Sequence, residues 1–176
     1  MVVSGQNENI NNNLKNIQEE EHLITFQDIV KDKEIKTYLE MGDKYLGTLG
    51  YTNHSLLHAQ RVAKIAHMIL ISLNYDRRTA ELARIAGYIH DIGNVINRAG
   101  HAQSSAMMAF NILTRMGMAP LEIAKVIGAI GNHDEGTGIP VNSLASALII
   151  ADKTDVRRSR VKTRDNKDFD ICLLYT

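Results

Sequence analysis

The stretch GYIHDIGN, residues 87–94, decides how the rest of the chain is read. It continues the apolar run IAGYI (85–89) and then sets an imidazole beside a carboxylate, His90 and Asp91. Both groups are costly to bury unless a partner or a cation satisfies them. His90 lies four residues after Ala86 and eight after Leu82, so on a helix it shares their inward face. Asp91 is rotated by about 100° from it at the helix end, where both side chains can still converge on one ion.

Outward from this stretch the pattern is helical throughout. TFQD (25–28) has the form of a capping box, with Asp28 in the reciprocal position. Ile29, Ile35, Leu39, Leu46 and Leu49 then recur at roughly helical spacing as far as Gly50. A second helix is expected from Thr52 or Asn53 to Leu73, with Val62, Ile65, Ile69 and Leu73 as its stripe. Asp76 is placed to cap a third, from Arg77 to Ile92, with Gly93 as its stop. A fourth runs from His101 to Met116 before Gly117, and a fifth from Pro120 to Asn132. NHDEGTGIP (132–140) reads as a glycine-rich loop, and a sixth helix opens at Asn142 or Ser143 and carries LASALIIADKTDV. No segment sustains the period-two alternation of a strand. The expectation is an all-α fold, a compact helical bundle of six or seven helices.

Residues 1–22, rich in Asn, Gln and Glu, are expected to form a mobile arm, leaving 23–176 as one helical domain. Twenty basic and twenty acidic residues cancel, which argues against broad nucleic-acid binding. One cysteine, Cys172, excludes an internal disulfide and fits a reducing compartment. The first residues lack the basic and apolar regions of a signal peptide, and no apolar run approaches a bilayer span. A soluble, cytoplasmic protein without a membrane partner is expected. The apolar finish of 165–176 and the basic run before it are compatible with a homodimer.

Two more helices repeat the anomaly of His90. His58 lies four residues before Val62 and seven before Ile65, on their buried stripe, and Asp152 lies four after Leu148 and eight after Leu144. A lone inward histidine is more often a hydrogen-bonded core residue than a ligand, and a lone aspartate can cap a neighbour. Three helices that each put a polar group where a leucine belongs point instead to one shared site. Two imidazoles and two carboxylates suit a divalent transition metal. His101 and His133 sit at helix ends where side chains reach a common cleft; beside such a site they read as ligands of a second metal, with Asp91 bridging. His54, one turn before His58, is the rival for its place; His67, half a turn around the helix, is expected to face solvent.

The segments HAQRVA (58–63), IHDIG (89–93) and LIIADKTD (148–155) together resemble the signature of the HD-domain metal-dependent phosphohydrolase superfamily. That resemblance implies a bundle of the HD type, with His58, His90, Asp91 and Asp152 as metal ligands. HAQSSAMMAFNIL (101–113) and NHDEGTGIP are similar to segments of the HD-GYP subgroup of cyclic-dinucleotide phosphodiesterases, which maps ligand histidines to His101 and His133.

The chemistry expected of such a set is hydrolysis of a phosphate ester by metal-activated water, because a divalent ion lowers the pKa of bound water from about 16 towards about 7. The cofactor is one or two divalent ions, drawn from Mn, Fe, Ni, Co, Zn and Mg. Asp91 would bridge or orient, and Asp152 would hold an ion and accept a proton. Asp155 is a candidate support behind the ligands. Lys153, Arg157 and Arg158 open a basic run suited to the phosphate of a small, nucleotide-like substrate. Two rival functions use the same residues: a di-iron oxygenase, and a noncatalytic domain that binds a nucleotide or partner around a structural metal.

Overall fold

Local capping chemistry sets most helix ends. In the computed structural model of the chain, which describes residues 23–51, 55–134, 136 and 138–155, the described residues form seven α-helices and one short 3₁₀ turn, with no strand. They are α1 (Phe26–Lys31), α2 (Lys33–Thr48), α3 (Leu56–Ser72), α4 (Arg77–Ile89), the 3₁₀ turn η1 (Ile92–Val95), α5 (His101–Met116), α6 (Pro120–Gly131) and α7 (Ser143–Lys153). The all-α bundle expected from the sequence is the observed fold. The expected arm 1–22, the C-terminal stretch 165–176 with Cys172, the rival His54, and Arg157 and Arg158 all lie outside the described residues.

Thr25 and Asp28 form the reciprocal capping box, Asp76 accepts from the Thr79 amide, and Asn142 from the Ala145 amide. Pro120 occupies the first turn of α6, and Gly117 ends α5 in the left-handed conformation, φ 86°.

Three boundaries differ from expectation, and at one of them α3 opens at Leu56, with Ser55 as its cap, rather than at Thr52 or Asn53. The first predicted helix is broken at Asp32, which ends α1 and caps α2: its backbone is extended, and its carboxylate accepts from the amides of Glu34 and Ile35. Arg115, at the end of α5, pairs with both Asp32 and Glu34 and ties this break to a distant helix. The helix expected to reach Ile92 stops at Ile89, so His90 is its cap rather than part of its last turn.

α4 is the centre of the bundle and packs against α3, α6, α7 and α1. Its last turn is enclosed on every side, from Ile85 through Ile89. α3 and α4 cross closely because Gly87 meets Ala63: a methyl on Gly87 would stand 2.9 Å from the Ala63 backbone nitrogen and Cα. That approach, possible only without a side chain, brings His58 and His90 to 5.3 Å between ring centroids. The buried aliphatic residues of α3, α4, α6 and α7 form one continuous core beneath them.

Candidate metal centre

Four imidazoles and two carboxylates meet at the ends of these helices. His58 comes from the first turn of α3, His90 from the cap of α4, Asp91 from the start of η1, His101 from the first residue of α5, His133 from just beyond α6, and Asp152 from the last turn of α7. The four rings are buried. His90 stands edge-to-face with His133 at 4.9 Å, and His133 with His101 at 5.1 Å.

Each ring is oriented from behind. Nδ1 of His90 lies 2.9 Å from the Gly87 carbonyl, Nδ1 of His101 3.1 Å from that of Arg98, and Nδ1 of His133 2.6 Å from that of Ile130. A carbonyl only accepts, so each Nδ1 must donate and each Nε2 is turned inward. His58 is held by the carboxylate of Asp155, 2.8 Å from Nδ1. The sequence placed Asp155 behind the ligands, and there it lies, buried. Orientation of ligand imidazoles by a carboxylate or carbonyl on the far nitrogen is a general feature of metal sites.

The inward atoms form two groups that share Asp91. His58 Nε2 lies 3.2 Å and His90 Nε2 3.6 Å from Asp152 Oδ1. Asp91 Oδ2 faces this group, 3.3 Å from His90 and 3.8 Å from His58. Asp91 Oδ1 faces the other way, 3.4 Å from His101 Nε2 and 4.0 Å from His133 Nε2. The donor atoms of His58, His90 and Asp152, and those of His90, Asp91 and His133, lie within 4.8 Å of one another and could hold a metal ion.

The pair His101–His133 tests whether a cation fits. Their Nε2 atoms are 3.3 Å apart. Burial lowers both rings below their ordinary value, and His133, with His90 adding repulsion, falls to about 4. Both are therefore neutral at pH 7 and, with Nδ1 donating, both direct a lone pair into the same small space. Such a contact is not a hydrogen bond, and a cation between the nitrogens makes it favourable.

Burial alone depresses His90, but the carboxylates of Asp91 and Asp152 outweigh it and raise it to about 10. Burial likewise raises Asp152, yet hydrogen bonds from His58 and His90 hold it well below the usual carboxylate range. These shifts fix how metal-free protein responds to pH. His90 retains a proton that the unfolded chain releases above about 6.5, so its contribution is present below that pH and is lost as pH rises towards 10. His133 refuses a proton that the unfolded chain accepts, so stability falls as pH drops from about 6.5 towards 4. The contribution of Asp152 is present above about 3.8 and is lost in stronger acid. Thermal denaturation of chelator-treated protein should show its highest Tm at about pH 6–7 with a decline on both flanks. A level alkaline flank contradicts the His90 assignment.

A second expectation concerns Asp155. Replacing it with Ala frees the His58 ring, and metal affinity should fall by about 10- to 100-fold. Competition with a chromogenic chelator measures this directly, and an unchanged affinity would assign Asp155 to packing alone.

Of the residues singled out from the sequence, His58, His90, Asp91, His101, His133 and Asp152 are all brought together. Lys153 is exposed on the residue after Asp152. His67, expected to face solvent, is half-buried, with Nδ1 enclosed and without a hydrogen-bond partner among the described residues. Three residues not singled out also stand here. Ser105, fully buried, accepts from the Gly93 amide at 2.8 Å and locks the doublet's turn onto α5. Arg98 Nη1 is 3.7 Å from Asp91 Oδ1, and Asp134 Oδ1 is 4.0 Å from His101 Nε2. Weak signals existed: Ser105 is one helical turn after His101, and Arg98 is the sole charged residue between Asp91 and His101.

Comparison with known proteins gives the family and the fold. The chain is 26% identical over 159 residues to an uncharacterized protein of Methanocaldococcus jannaschii, a match covering 77% of this chain and 60% of that protein. The chain thus spans well under two thirds of that relative's length. Its fold is similar to the crystal structure of a protein described as a predicted HD superfamily hydrolase from an uncultured Thermotogales bacterium, with TM-score 0.55 and 23% identity over 81% of this chain and 88% of the other. No helix among the described residues is long and apolar enough to cross a membrane. The HD domain family model matches residues 56–157, over half of the sequence and from the helix of His58 to just past Asp155, and on that match the chain belongs to the HD-domain family.

Proposed function

We propose that this HD-domain protein is a metal-dependent phosphohydrolase that cleaves a phosphate ester of a nucleotide or another small phosphorylated molecule. The observation that carries the reading is the split of Asp91, whose two oxygens face two separate groups of inward imidazoles. A carboxylate so placed suits a pair of ions, with His58, His90 and Asp152 holding one and His101 and His133 the other. When bound, such ions supply Lewis acidity towards phosphoryl oxygens and make water acidic enough to be a nucleophile near neutral pH.

The chain's own groups do the rest. Asp152 engages His58 and His90 through Oδ1, and its side chain is 20% exposed against 5% for Asp91. Its other oxygen, Oδ2, is our candidate acceptor for the proton that attacking water gives up. Lys153, with Arg157 and Arg158 further along the chain, would meet the phosphate. His101 and His133 extend the likeness to HD-GYP phosphodiesterases. Asn132 in place of a histidine, Ile139 in place of the name-giving tyrosine, and Asn94 where a lysine often stands depart from that subgroup. The proposal is therefore drawn at phosphate esters in general, diesters included.

The test is metal analysis of purified protein followed by a screen of phosphomonoesters, nucleotides and cyclic dinucleotides with Mn, Fe, Ni, Co, Zn and Mg. The expected result is chelator-sensitive hydrolysis of at least one class. A metal-loaded protein that turns over none of them, or a coloured iron protein that consumes oxygen instead, overturns the reading.

A further inference from the structure

The loop between the doublet and α5 is anchored at several points. The Asn97 amide donates to the Gly93 carbonyl at 3.3 Å, and the Ala99 amide to Asn97 Oδ1 at 2.9 Å. The carbonyl of Arg98 accepts twice from His101, from its backbone amide at 3.2 Å and from ring Nδ1 at 3.1 Å. The residue that orients a ligand imidazole with its main chain is thus fixed in position, while its side chain is held only by a long ion pair.

The guanidinium makes no hydrogen bond among the described residues. Its nearest charged group, Asp91 Oδ1, is 3.7 Å from Nη1, beyond hydrogen-bond reach, and the side chain is 32% exposed. Had Arg98 served chiefly to neutralise Asp91, a bidentate fork on the carboxylate would be expected. Asp91 instead turns both oxygens to imidazoles, and the partly exposed guanidinium beside Oδ1 spends no donor on a hydrogen bond among the described residues. Asp134, 37% exposed and 4.0 Å from His101 Nε2, is an acidic group on the same side.

The geometry points to Arg98 as a substrate-binding residue whose fork takes two phosphoryl oxygens of the ester, and of the phosphate released from it, on the His101–His133 side of the centre. The assignment rests on the phosphohydrolase reading and adds a specific recognition element to it. Planar guanidinium matches paired phosphate oxygens in a way that an ammonium does not.

The experiment compares Mn-loaded wild type, Arg98→Ala and Arg98→Lys. Three quantities are read: metal stoichiometry, the dissociation constant of inorganic phosphate by calorimetry, and KM and kcat on an ester that the wild type cleaves. Arg98→Ala should keep its metal, bind phosphate about 10- to 100-fold more weakly, as expected for loss of charged hydrogen bonds, and show a rise in KM. Arg98→Lys should recover only part of this, since it restores charge without the fork. Phosphate affinity in Arg98→Ala within about twofold of wild type overturns the assignment. So does a fall in metal content, which makes Arg98 a support for Asp91. A wild type that cleaves phosphate esters while either result holds leaves the phosphohydrolase reading intact. A wild type that neither cleaves an ester nor binds phosphate removes both.

Discussion

Asp91→Ala is expected to fold and to lose hydrolysis by about 10³-fold or more. The magnitude follows from the several kcal/mol that Lewis-acid stabilisation contributes, at about 1.4 kcal/mol per factor of ten. Asp91 is the one carboxylate whose oxygens face both halves of the centre, so its removal takes away the acid they share. Survival of the fold has separate grounds. The carboxylate makes no capping bond to η1, so no backbone amide of that turn is stranded. His90 loses the largest influence that raises it and can shed its proton instead of remaining a buried, unpaired charge. The apolar core beneath the rings is untouched. Circular dichroism should stay close to wild type, with Tm lowered only by the lost His90–Asp91 charge contribution, while metal content and turnover of the best ester fall. A variant that melts would identify the metal as structural, and one that is folded, loaded and fully active would remove this centre from the chemistry.

The divide between what the sequence revealed and what it hid follows the range of the forces involved. Asp76, Pro120, Asn142 and Gly117 act within one turn of their own helices, and each marks a boundary where local chemistry places it. His58, His90 and Asp152 were visible for another reason: each interrupts an apolar stripe, and a polar residue on a buried face demands a partner. The break at Asp32 carried a local signal, since its carboxylate caps the Glu34 and Ile35 amides, and only its tie to Arg115, 83 residues away, was hidden. The early stop of α4 was hidden for the same reason, since Gly93 donates to Ser105 on α5 rather than back into its own helix. Serine on a helix face rich in small residues violates no pattern. Arg98 in a loop looks like any solvated arginine until its carbonyl is found on the ring of His101.

Gly93→Ala should be the most disruptive single-methyl change in the centre. Gly93 presses against the first turn of α5, and an added Cβ would collide with the Ser105 backbone nitrogen while standing 2.5 Å from the His101 carbonyl oxygen and 2.8 Å from Ser104 Cβ. Two of these neighbours are backbone atoms of the helix that delivers His101, so relief requires the helix and the doublet's turn to separate. The Gly93–Ser105 hydrogen bond is then lost as well. Overpacking of this kind costs about 3 kcal/mol, a fall in Tm of about 10 °C for a chain of this size. The metal response should be uneven: His101 withdraws, while His58, His90 and Asp152 stay on α3, α4 and α7. Gly136→Ala, whose methyl would meet nothing within 4 Å, is the matched control and should leave Tm unchanged. This pattern differs from that of Asp91→Ala, in which activity collapses while the packing of the helices holds. A Gly93→Ala protein as stable as wild type, with its full metal complement, would show that η1 does not dock on α5 as described.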